Sequence, residues 1–306
     1  MLNTSKITKD FKELFLKIRQ GHLTEYVYYG EDFFEQLLTN NQQYYPYYSE
    51  VELIKNHART FTNTLGKNKN IVEIGPGSDR AISNKTVQII KQLHNIKSYT
   101  AIDSYLLYAQ KAAHHVTQAT HAKTLAIQIS CFNKELTLPK NTVLMFLGGT
   151  FCNFEDKNVE SFIKDIASKM KKDDIFIVSI DSNQDSNYIK NAYDNIWLKG
   201  LAFNTFSFFK EKFKVKNFND KLFEYKYNWE PKLAEVQILL TATKEQNFIF
   251  DDIEIHIEPN QDFHIITSKK RDESFYIDTL KKYRLELIEK IEHEKDQLKI
   301  LITKAI

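Results

Sequence analysis

Apolar residues recur at helical spacing through the first 57 positions, and from about residue 68 the rhythm changes to short continuous apolar runs separated by amphipathic stretches. In the first part "DFKELFLKIRQG" is predicted to be a helix stopped at Gly21, and "GEDFFEQLLTN" a second one ending near Asn40. The tyrosine-dense "QQYYPYYSE" is predicted to turn around Pro46. The middle then alternates: strand "NIVEI", helix "KTVQIIKQLHN", strand "SYTAID", helix "LYAQKAAHHVTQ", strand "TVLMFL", helix "KNVESFIKDIASKM", strand "DIFIVSID". Continuously apolar strands alternating with helices imply an α/β, doubly wound, mainly parallel sheet covered on both faces. Ligands of such sheets bind at the carboxyl ends of the strands.

After Asn183 the alternation lapses. "NYIKNAYDNIWLKGLAFNTFSFFKEKF" is helical and aromatic, whereas "KLFEYKYNWEPKLAEVQILLTAT", "NFIFDDIEIHIEP" and "DFHIITSKK" show the period-2 alternation of antiparallel strands. "ESFYIDTLKKYRLELIEKIEHEKDQ" is predicted to be a helix with a solvated charged face, and "LKILITKAI" a closing strand of the main sheet. The organisation expected is therefore 1–57 as the N-terminal helical part of a substrate domain and 58–184 as a nucleotide-binding core. Residues 185–268 form the inserted α+β part of the substrate domain, and 269–306 return to the core.

Composition narrows the chemistry. The net charge of +2, from 42 basic and 40 acidic residues, supplies no global attraction to nucleic acid or anionic membrane. Two cysteines, Cys131 and Cys152, cannot build a disulfide framework or a cysteine-rich metal centre. No apolar run of signal-peptide or membrane-spanning length occurs, so a cytoplasmic protein is expected. His114, His115 and His121 lack ligand-spaced acids and read as helix-face residues, and no metal is expected. Oligomeric state is not legible.

With 8 glycines in 306 residues, each glycine pair marks a special backbone position. "VEIGPGS" follows a buried strand and opens a helix, so Gly75 and Gly77 let the backbone approach a nucleotide-bearing ligand. Asp103, ending the next strand, can accept both hydroxyls of a ribose. The third glycine of a dinucleotide fingerprint is replaced by Arg80, and no lysine-bearing phosphate loop is present. Glu73, the glycine pair and Asp103 together resemble the signature of class I S-adenosylmethionine-dependent methyltransferases.

"VLMFLGGTFCNF" runs an apolar strand into Gly148 and Gly149, then Thr150 and Asn153. The glycines remove side chains beside a ligand, and an asparagine amide can both accept from an amine and donate to a carboxylate. "FLGGTFCNF", with "YVYYGEDFF", "YYPYYSE" and "NAYDNIW", resembles the histidine-specific Nα-methyltransferase family of ergothioneine biosynthesis over nearly the whole chain. That resemblance implies S-adenosylmethionine as cofactor and a free amino acid or amine as substrate. It implies Asn153, Tyr26 and Tyr44 around the substrate nitrogen, Tyr193 on its carboxylate, and Thr150, Phe34, Ile266 and Ser268 lining the substrate side. On the donor side it implies Glu73, Gly75 or Gly77, Lys85, Asp103, Cys131, Phe132 and Gly148.

Two positions depart from the family pattern. Cys131 replaces an aspartate before the adenine-side Phe132, and Ile266 in "IITSKK" replaces the glutamate that grips the imidazole. Losing that carboxylate removes a charge-assisted hydrogen bond of about 1.5–3 kcal/mol and favours a more apolar or aromatic side chain than histidine's. His264 is a further candidate to line the pocket. The competing readings are a catalytically inactive binding module of the same fold and a methyltransferase acting on a macromolecule.

Overall fold

The computed structural model describes residues 4–16, 23–30, 33–93, 95–129 and 136–306. Its strands, in chain order, are β1 (Asn70–Ile74), β2 (Ser98–Asp103), β3 (Lys123–Gln128), β4 (Thr142–Phe146), β5 (Ile175–Asp181), β6 (Phe223–Glu230), β7 (Glu235–Ala242), β8 (Gln246–Phe250), β9 (Ile253–Ile257), β10 (Asp262–Lys269), β11 (Leu285–His293) and β12 (Leu298–Ala305). The chain divides into two compact units. One comprises 44–183 and 270–306, the other 4–43 and 184–269 among the described residues.

The first unit is built on a seven-stranded sheet in the order β11-β12-β5-β4-β1-β2-β3. β1 to β5 pair in parallel, β12 lies antiparallel to β5, and β11 antiparallel to β12. This is the doubly wound, mainly parallel arrangement expected from the sequence, and sheets of this kind bind ligands at the carboxyl ends of their parallel strands. β4 and β5 are buried at every position. Alternate residues feed opposite faces: Val143, Met145, Ile175 and Ile177 join Phe61, Ile90 and Val116, whereas Leu144, Phe146, Phe176 and Val178 join Phe162, Ile166 and Leu280. Two covered faces are why these strands read as unbroken apolar runs.

Several local expectations are corrected. Tyr45–Asn56 is a helix with Pro46 in its first turn, where the missing N–H is not needed, and it belongs to the first unit rather than to an N-terminal part of the second. The charged C-terminal helix stops at Lys282, and Leu285–His293 is the edge strand β11, its Leu–Glu and Ile–Glu alternation fitting period 2 once β12 offers a partner. β3 was not marked by the sequence because this edge strand leaves even Leu125 more than half exposed.

In the second unit β10, β7 and β6 form one antiparallel sheet, and β8 with β9 a separate hairpin. The long predicted helix is two helices, Ser186–Tyr193 and Ile196–Phe213. The second begins where the Asn195 side chain accepts hydrogen bonds from the amides of Trp197 and Leu198. Much of the chain's aromatic content packs here: Phe209 lies 4.8 Å from Phe11, 5.0 Å from Phe15 and 4.9 Å from Phe250, ring centre to ring centre.

Candidate active site

In the first unit the loop after β1 is shaped by left-handed glycines, Gly75 at φ +60° and Gly77 at +81°. The amide of Gly75 donates to the Ile102 carbonyl at 2.8 Å, so the chain leaves the sheet one residue beyond β1 and turns beside the end of β2. There the half-buried Asp103 accepts from the Tyr105 amide at 2.9 Å and from the Ser104 amide. Burial, outweighing those two bonds, pushes its carboxyl up to about 7. A half-buried carboxylate at the end of β2, beside the left-handed turn of Gly75 and Gly77, has the chemistry to accept ribose hydroxyls.

Glu73 does not face such a ligand, which corrects the sequence assignment. It is fully buried, with Thr86 Oγ1 donating to one oxygen at 2.7 Å and Tyr99 Oη to the other at 2.5 Å. Burial raises its carboxyl to about 7 against the pull of those bonds and of Lys85. Its work is to tie β1 to β2 and to the turn that follows the glycine loop. That turn, Ile82–Thr86, is a π-type widening between the short helical segments Asp79–Ala81 and Val87–Gln92. It carries Lys85 inward, where Nζ lies 2.9 Å from Glu50 Oε2, so the ammonium assigned to the donor is engaged within the protein. Cys131 and Phe132 lie outside the described residues.

β4 delivers Gly148 at φ +85° and Gly149 at +75°, backbone that side chains resist. The Gly149 carbonyl accepts from the Cys152 amide at 3.0 Å and closes the 3₁₀ turn Thr150–Asn153. Phe151 and Cys152 point into the core. The thiol of Cys152 takes the Asp181 amide at 3.3 Å, and burial pushes its pKa up to about 11, which excludes a thiolate nucleophile near neutral pH. Thr150 and Asn153 are half-buried, and no described residue hydrogen-bonds the Asn153 side-chain amide. At the neighbouring end of β5, Asp181 accepts from Tyr45 Oη at 2.9 Å, Lys270 Nζ at 2.5 Å and the Asn183 amide at 3.0 Å. Tyr44, half-buried, stands at the start of the helix carrying Tyr45.

In the second unit Tyr193 and Ser268 meet, Tyr193 Oη lying 3.2 Å from Ser268 Oγ. Ile266 is two residues back along β10 on the Ser268 side, paired with Ile238 of β7. A register shift at His264 and Ile266 lets the His264 Nε2 reach Thr267 Oγ1 at 3.0 Å and the Ile266 carbonyl at 3.1 Å. Tyr26 is a second correction. It is fully buried, stacked on Phe208 at 5.0 Å, and donates to Asp10 at 2.6 Å; burial and its acidic neighbours hold the phenol far above its usual pKa. It is core, not a group that touches substrate. Two positions on, Tyr28 is half-buried against Phe34 with ring centres 5.4 Å apart, and no sequence signal separates these two tyrosines.

Among known proteins, the family described as histidine-specific methyltransferase, SAM-dependent, matches residues 16–305. The N-methyltransferase imqF of Aspergillus flavus is 23% identical over 258 residues, 79% of this chain and 69% of that protein. Ergothioneine biosynthesis protein 1 of Schizosaccharomyces pombe is 23% identical over 270 residues, 83% of this chain but 35% of that longer protein. Among solved structures, an S-adenosylmethionine-dependent methyltransferase from Clostridium acetobutylicum aligns over 89% of this chain and 96% of its own at 12% identity, with a TM-score of 0.49. With a family match over residues 16–305, nearly its whole length, this chain belongs to the S-adenosylmethionine-dependent histidine-specific methyltransferase family.

Proposed function

We propose that the chain methylates the α-amine of a free amino acid whose side chain is more apolar than imidazole. The observation that carries this reading is the half-buried amide of Asn153, without a hydrogen-bonding partner among the described residues, at the carboxyl end of β4. An amide so placed is a compact acceptor for an amine N–H. Gly75 and Gly77 would hold the donor along their backbone and Asp103 its ribose hydroxyls. S-adenosylmethionine, when bound, supplies a methyl group already activated by a sulfonium.

The protein's contribution is then alignment. Fixing the amine for in-line attack supplies about 7–11 kcal/mol of the barrier. Releasing its proton near neutral pH costs only about 1–3 kcal/mol, so no strong base is required. Accepting one N–H at Asn153 orients the nitrogen so that its lone pair is free. In the second unit Tyr193 and Ser268 are hydrogen-bonded to each other, and the apolar Ile266, two residues back along β10, stands where the resembled family has the glutamate that would reward an imidazole. The near-neutral charge supports a small-molecule substrate over nucleic acid, and the cysteine usage supports work in the cytoplasm.

The test is a methyl-transfer screen of the purified protein against free amino acids and biogenic amines, read by mass spectrometry. Transfer to apolar or aromatic amino acids in preference to histidine is expected. Histidine as the best acceptor, or transfer to no free amine at all, would overturn the reading.

A further inference from the structure

Within the first unit one carboxylate collects three chain segments at the ligand edge of the sheet. Glu50, on the helix Tyr45–Asn56, has no solvent exposure. Its Oε1 accepts the backbone amide of Gly148 at 2.9 Å and the hydroxyl of Ser179 on β5, while Oε2 takes Lys85 Nζ at 2.9 Å. Gly148, two residues beyond β4, opens the turn that leads to Asn153, and a β-carbon there would stand 3.0 Å from Lys85 Nζ. A backbone amide leaving a parallel strand has lost its ladder partner, and a buried one must find another. Here the partner is a side chain brought from a remote helix, although serine, asparagine or water would satisfy the amide without burying a charge.

We infer that Glu50 is a positioning residue for methyl transfer: by holding the Gly148 amide against Ser179 and Lys85, it sets where the Thr150–Asn153 turn presents its amide. This rests on the proposed role of Asn153. Glu50 touches neither substrate nor donor, and acts through the loop. The Gly148 amide, the Ser179 hydroxyl and the Lys85 ammonium all donate to this one carboxylate, which ties the loop, β5 and the turn after the glycine loop together.

The experiment compares Glu50→Gln with Glu50→Leu, and with Glu50→Leu/Lys85→Met, in which an apolar pair replaces the buried ion pair, an exchange that proteins generally tolerate. Hydrogen exchange of the segment spanning Gly148 is measured alongside S-adenosylhomocysteine affinity, melting temperature and turnover of whichever amino acid the screen identifies. Both leucine variants are expected to lose protection at Gly148 and to lower kcat at least tenfold, with the S-adenosylhomocysteine Kd changing less than threefold. Glu50→Gln, which keeps a carbonyl acceptor, should retain protection and recover most of kcat. If Glu50→Leu alone fails to fold, the apolar pair carries the test. Unchanged protection and full turnover in a folded leucine variant would overturn the inference, as would equal losses in Glu50→Gln and Glu50→Leu. Should the screen find no amine acceptor, the exchange data still decide whether Glu50 holds the loop, separating that failure from this one.

Discussion

Replacing Asn153 with alanine separates a binding group from a structural one. Because no described residue bonds its amide and it closes a short 3₁₀ turn on the surface of the core, truncation breaks no internal hydrogen bond. The stability change should therefore stay within about 0.5 kcal/mol, the range of substitutions remote from packing features. The cost falls on the acceptor instead: a hydrogen bond to a charged or partly charged amine is worth about 1.5–3 kcal/mol. At about 1.4 kcal/mol per tenfold, kcat/KM for the amino substrate should fall roughly 10- to 150-fold. Steady-state methyl transfer, read with calorimetric titration of S-adenosylhomocysteine, resolves the two effects. Donor-product affinity should change less than about threefold, since Asp103 and the glycine loop are untouched. A parallel loss of donor-product and substrate affinity, or a large drop in melting temperature with turnover intact, would refute the reasoning.

Asp103 gives a pH signature. Its carboxyl, pushed up to about 7, accepts two ribose hydroxyls best when ionised, so S-adenosylhomocysteine affinity should weaken as pH falls from 8 through 7 to 6, and Asp103→Asn should flatten that profile. A wild-type affinity constant over this range would contradict the ribose role. Gly148→Ala combines a left-handed backbone with a 3.0 Å approach to Lys85 Nζ and should destabilise the protein by at least about 1–2 kcal/mol, seen as a lower denaturation midpoint. An unchanged midpoint would show that the loop relaxes freely.

The parallel core was legible because its physics is local: strands buried on both faces must be continuously apolar, and glycines in a chain that has few of them mark left-handed turns. β11 was hidden because glutamate-rich alternation satisfies a helix face as readily as an edge strand, and only the presence of β12 decides between them. The errors at the site have a common cause. Glu73 and Tyr26 carry chemistry-bearing groups at motif positions, but their partners, Tyr99 with Thr86 and Asp10, are fixed by packing that no spacing reveals. Glu50 was overlooked for the same reason, since an acid after a run of tyrosines shows nothing of the amide it will meet from nearly a hundred residues away. The Tyr193 and Ser268 pair, 75 positions apart in sequence, came from the family resemblance alone; strand and helix patterns place each on its element without joining them.

The proposed function places the nitrogen of a small amino acid on the amide that ends the β4 loop. A crystal structure with S-adenosylhomocysteine and the best acceptor from the screen tests it directly. The acceptor's amine is expected within hydrogen-bonding distance of Asn153 Oδ1, about 2.7–3.2 Å. An acceptor bound with its amine away from Asn153, or an Asn153 amide folded back onto the protein, would contradict it.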